Sequence, residues 1–207
     1  MTPDVSTRDR VRSILEHPED HKWQVQGFGM LRTYLEGPGE PRLQVWDQRL
    51  ATWHNNAIHD HPWAFRSVIV AGLLYNQRFS VTTYQEHTES DMVAKGLTNG
   101  RTTEIVPGER GGLLSERPVR PCSIKPLPVE VYSMGDTYSQ THREMHLTRY
   151  MQGTVTLIER FDREEADVAR IAWYGDVLDQ PPFVNPYGPT PVEIERTLTL
   201  ALDNWFV

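Results

Sequence analysis

The sequence predicts an all-β fold with a short helix at each end. Three observations carry the prediction. Many short segments are rich in β-branched and aromatic residues, Gly and Pro separate them, and helical periodicity is confined to the two ends of the 207 residues.

The first helix is read in "STRDRVRSILEH". Val11, Ile14 and Leu15 fall on one face, and Ser6 followed by Asp9 reads as its N-terminal cap. The last is read in "TPVEIERTLTLALDNWF". Thr190 is the cap, Pro191 the first helical residue, and Glu193 closes a capping box. Ile194, Leu198 and Leu202 then form its buried face.

Strands are read between these helices, in "RLQVW", "RLATW", "FRSVIVAG", "YNQRFSVTTY", "EIVPG", "VEVYSM", "GTVTLIERF" and "ARIAWYG". Short strands without intervening helices point to a sandwich or barrel, not to βαβ units. The polar stretch from about His87 to Arg120 reads as hairpin connections or a mobile flap. The proline-rich "YGDVLDQPPFVNPYGPTP" reads as a loop across the body. One domain over 1–207 is expected, with a barrel core at about 42–175, an N-terminal extension 1–25, and a loop and helix over 176–207.

Composition removes several function classes. A net charge of −7 and the absence of a basic stripe with aromatics argue against a dedicated nucleic-acid surface. No apolar run is long enough for a membrane span, and the N-terminus lacks an apolar signal core, so a cytoplasmic protein is expected. A single cysteine, Cys122, excludes an internal disulfide and a cysteine-rich zinc site. Any metal must be held by His and carboxylates.

The stretch "IHDHPWAF" supplies such ligands. Residues two apart on a strand share a face, so His59 and His61 can aim two imidazoles at one divalent ion. Asp60, between them, faces the other way and reads as a surface carboxylate. A second candidate stretch is "GDTYSQTHREMH", from Gly135 to His146.

The two stretches resemble the paired motifs of the cupin superfamily. In the first motif, HxH is followed by a glutamate and then a glycine. His59, His61 and Gly72 fit, and Phe65 stands in the glutamate position. In the second, Gly135 and His146 fit, while Thr141 and Arg143 replace the motif's proline and glycine. "HDHPWAFRSVIVAG" with "MHLTRYMQGTVTLIE" is most similar to a small subgroup with HxHPWxF that also lacks the glutamate.

The resemblance implies a jelly-roll barrel of two facing antiparallel sheets with the site in its mouth. It implies His59, His61 and His146 as metal ligands, with His142 as the alternative and Glu144 as a lesser carboxylate candidate. Fe(II) is the expected ion, with Zn, Ni and Mn as alternatives, because three neutral imidazoles suit each of them. It implies an oxygenase acting on a small molecule; without the glutamate the site keeps the metal's full 2+ charge, which favours an anionic ligand. A ligand-binding protein without catalysis, or a Zn-, Mn- or Ni-assisted isomerase or lyase, would use the same residues. A homodimer is a further expectation.

Around this centre Phe65, Trp63 and Tyr75 are candidates for substrate contact. Arg66 and Arg78 are candidates for pairing with a substrate anion, and Tyr138 for donating a hydrogen bond. Cys122 reads as a buried structural thiol, since "VRPCSIKP" holds nothing to activate it.

Overall fold

The computed structural model describes residues 5–35, 41–51, 58–83, 89–105, 119–163, 169–175 and 188–206. Among the described residues there are three α-helices, α1 (Val5–Glu16), α2 (Glu89–Ala94) and α3 (Pro191–Asp203). The strands are β1 (Gln24–Gln26), β2 (Phe28–Tyr34), β3 (Arg42–Ala51), β4 (Ile58–His59), β5 (Trp63–Ala71), β6 (Leu73–Thr83), β7 (Thr98–Ile105), β8 (Arg120–Ser133), β9 (Thr137–Gln140), β10 (Met145–Tyr150), β11 (Val155–Arg163) and β12 (Ala169–Tyr174). The all-β reading holds. The strands form two antiparallel groups, one sheet in the order β1-β2-β3-β11-β5-β9 and one ring, β10-β4-β12-β7-β8-β6, whose pairing closes on itself. Among the described residues no helix is long and apolar enough to cross a membrane.

Alternation along the strands divides the core into layers. Leu31, Leu43, Val45 and Val155 turn one face of the open sheet outward, where α1 and α3 cover it with Val11, Ile14, Leu15, Leu198 and Ala201. Met30, Trp46, Phe65, Ile69 and Tyr138 turn the other face inward against Leu74 of the ring. Ile58, Phe79, Cys122, Ile124 and Met145 form a smaller core belonging to the ring. Each fully buried Leu, Ile, Val or Phe side chain contributes about 1.5–3 kcal/mol, so the helices are held by their apolar faces more than by propensity.

The C-terminal helix starts as read. Thr190 accepts from the Glu193 backbone, and Glu193 Oε2 accepts from Thr190 N at 2.7 Å. Ile194 and Leu202 pack against the outer core and Leu198 is buried in it. Buried Asp47 ties this helix to β3. It accepts from Thr197 Oγ1 at 2.8 Å and from Arg49 Nε and Nη2, each at 2.9 Å.

Several expectations are corrected. The first helix begins at Val5, so Ser6 lies within its first turn and is not the cap. "RLQVW" and the start of "RLATW" belong to one strand, β3, and residues 52–53 lie outside the described residues. The polar stretch after His87 is not only connections, since it contains α2, β7 and the first residue of β8. β7 is a strand despite its polarity because it lies between β12 and β8, which satisfy its backbone on both sides. β1 and β2 extend the sheet upstream of residue 42. Residues 176–187 of the proline-rich loop lie outside the described residues.

Candidate metal centre

β4 is only two residues long, yet it sits between β10 and β12. Its register places His59 directly across from His146 on one side and Ile171 on the other. On its far side β10 places His146 across from Arg78. Directly opposed residues on antiparallel strands share a face, so His59 and His146 project together toward the open sheet. There His59 stacks on Phe28, with centroids 4.6 Å apart and planes at 19°.

His61 follows β4, and its carbonyl accepts from Arg143 N at 3.2 Å. The three rings converge. Centroids lie 4.9 Å apart for His59 and His61, 4.6 Å for His59 and His146, and 5.3 Å for His61 and His146. One ligand atom from each of the three lies within 4.8 Å of the others, so the group can hold a divalent metal.

The donor chemistry fits an ion. His146 Nδ1 lies 2.9 Å from Asn76 Oδ1, an acceptor with no exposure to solvent. Nδ1–H donates there, which leaves Nε2 as a lone pair facing the site. The Nε2 atoms of His61 and His146 are 3.2 Å apart. Two imidazole nitrogens sharing an ion at about 2.1 Å and an angle of about 90–110° stand about 3.0–3.4 Å apart. Burial holds both imidazoles well below their ordinary pKa, and so in the neutral form a metal needs. Neighbouring imidazoles reinforce this, as do Arg42 and Arg160 near His61 and Arg78 near His146.

The glycine positions of the two stretches have left-handed backbone. Gly72 has φ 83° and Gly135 has φ 91°. Arg143, where the motif has its second glycine, has φ 66°, which costs a non-glycine residue about 1–2 kcal/mol. That turn is pinned from outside. Arg170 Nη2 donates to Arg143 O at 2.8 Å, and Arg170 Nε lies 2.6 Å from Asp60 Oδ2. Asp60 thus does face away from the ligands, but it is 1% exposed and paired with Arg170, not a surface carboxylate.

Phe65, in the place of a glutamate, is buried and edge-on to His61 at 5.5 Å and 6.0 Å from His146. Trp63 stacks on His61 at 5.2 Å and 28°. Tyr138 packs on Phe65 at 5.8 Å and on Tyr132 at 4.6 Å, one layer removed from the imidazoles. Burial pushes its phenol well up, so it stays protonated and able to donate. Arg78 lies in register with His146 but is occupied by Ser139 O at 3.0 Å and by Glu130 at 3.6 Å.

Other candidates lie elsewhere. His142 is not in the three-imidazole group; its Nδ1 is 3.6 Å from Asp162. Glu144 accepts from Thr141 N at 2.7 Å and staples the turn. Arg66 pairs with Glu159 on the opposite face from Phe65, and Tyr75 is an exposed residue on the face opposite Asn76. Cys122 is 1% exposed, and burial raises its thiol to about 11, which leaves it unreactive. Asn76 was missed; its position two residues before Arg78 places it on the inner face only once the register with β10 is known.

No protein-family model matches the chain, and no curated protein matches it.

Proposed function

We propose that the chain is a cupin-type jelly-roll protein that holds a divalent metal on His59, His61 and His146 and acts as a non-haem Fe(II) oxygenase on a small molecule. The convergence of three imidazoles from two separate strand ends carries this reading. The left-handed φ angles at Gly72, Gly135 and Arg143 support the cupin assignment, since each falls where the two motifs call for glycine.

Bound there, Fe(II) would supply the one-electron chemistry that lets O₂ react with an organic substrate. The chain supplies the rest. Asn76 fixes the tautomer of His146. Phe65 and Trp63 line the ligand rings with apolar surface and limit the entry of water. With Phe65 replacing a carboxylate, the ligand set brings no negative charge, which favours an anionic substrate.

The same replacement favours a second reading, a protein that binds a small anion without transforming it. Metal analysis of protein purified without chelators separates the two. Near-stoichiometric iron, O₂ consumption on adding organic acids, and loss of both in His146→Ala are expected. Protein that takes up no Fe, Zn, Ni or Mn on reconstitution would falsify the metal reading.

A further inference from the structure

The inward face of the open sheet carries three arginines on two adjacent strands and their neighbour. Registers place them together. Arg42 on β3 is opposite Tyr34 of β2 and Ile158 of β11, Arg32 is opposite Gln44, and Arg160 is opposite Phe65. Opposed residues share a face, as do residues two apart. Arg32, Arg42 and Arg160 therefore lie on the same face as Phe65, which touches the ligand rings.

Among the described residues two of these cations lack a counter-charge. Arg42 is 7% exposed; its Nη2 donates to the Tyr34 phenol oxygen at 3.3 Å, and its Nε has no partner among the described residues. Arg32 donates only to the amide oxygens of Gln24 and Gln26, at 3.0–3.2 Å. Burial, with Arg42 and Arg160 nearby, lowers Arg32 to about 10, so it remains charged at neutral pH. Among the described residues neither arginine has a carboxylate partner. Arg160 stands 5.5 Å over the ring of Trp63, the residue that stacks on His61. Buried guanidinium groups are ordinarily paired, because an unpaired buried charge is costly. Neighbouring unpaired guanidiniums form a fork-shaped receptor for an oxyanion.

We propose that Arg42, Arg160 and Arg32 bind the carboxylate or phosphate group of a small organic anion and hold its other end against the three-imidazole centre. Two uncompensated charges match a dianion, which a dicarboxylate and a phosphate monoester both provide. The assignment of a reacting end rests on the metal reading above; the anion site itself does not.

The test uses the full chain, as purified and after dialysis against a chelator. Succinate and inorganic phosphate are titrated calorimetrically, with sodium chloride at matched ionic strength as the control. Saturable binding in both preparations, beyond any response to chloride, is expected. The stronger of the two probes assigns the headgroup as carboxylate or phosphate. Arg42→Met and Arg160→Met should each weaken binding roughly tenfold or more. Arg42→Met should also melt no lower than the unmodified protein, since it removes an uncompensated buried charge. His146→Ala should lose metal and keep the anion response, so the two readings fail separately. No binding above chloride, or full binding in both arginine variants, overturns the proposal.

Discussion

Asn76 Oδ1 accepts from His146 Nδ1 at 2.9 Å between the ring of strands and the open sheet, where neither residue is more than 3% exposed. The bond orients the ring and decides which nitrogen is free to bind an ion. Asn76→Ala should therefore weaken divalent metal binding roughly 10–100-fold, while Asn76→Asp, which keeps the acceptor, should retain most of it. Competition against a chromogenic chelator measures both.

Acid should destabilise the metal-free protein through the histidines. His61 and His146 have folded-state pKa values well below their ordinary value of 6.5. The unfolded chain then binds more protons than the folded chain below about pH 6.5. The stabilisation is complete above that pH and is lost as pH falls toward the folded-state values. The melting temperature of chelator-treated protein should fall between pH 7 and 5, and His61→Gln should flatten that fall. An unchanged slope in the variant contradicts the assignment.

Asp47 couples β3 to α3 through Thr197 and Arg49. Its carboxyl is held below the usual range; burial opposes this, and its hydrogen bonds to Arg49 and Thr197 outweigh it. Asp47→Ala leaves the buried Thr197 hydroxyl without its acceptor, while exposed Arg49 returns to water, and should cost about 2–3 kcal/mol. Thr197→Val should cost about 1 kcal/mol. Urea unfolding separates the two magnitudes.

Asp60 and Arg170 reach the centre only through backbone. Arg170 holds Arg143 O, and Arg143 N holds His61 O. Arg170→Met should lower metal affinity without removing a candidate ligand, and should destabilise the fold by leaving buried Asp60 without its guanidinium partner, with only the backbone N–H of residue 170 still donating to it. Metal titration and thermal melting of the same sample check both; unchanged affinity would show that the turn stands without its clamp.

What the sequence revealed of the site followed from local spacing. His59 and His61 are legible because two-residue separation implies a shared face, and His146 because the distance from Gly135 matches a known turn. The parity of Arg66 was equally readable, since a residue next to an inward Phe65 must point outward. Arg32, Arg42 and Arg160 were not readable, because their common face depends on registers among β2, β3, β11 and β5. β2 escaped notice because Gly29 and Arg32 break its apolar pattern, and β7 because "TNGRTTEI" contains no alternation. In β8, Pro121, Pro126 and Pro128 hid a 14-residue strand behind its apolar end.

The ring of strands is completed at β4, whose pairing with β10 is the single pair His59–His146. Two candidate ligands of one ion are thus also the seam of the ring. Prying the ion loose and parting the strands become the same event, so metal exchange should proceed at the pace of local opening. An ion seated there acts as a rivet, slow to leave even where its equilibrium affinity is modest.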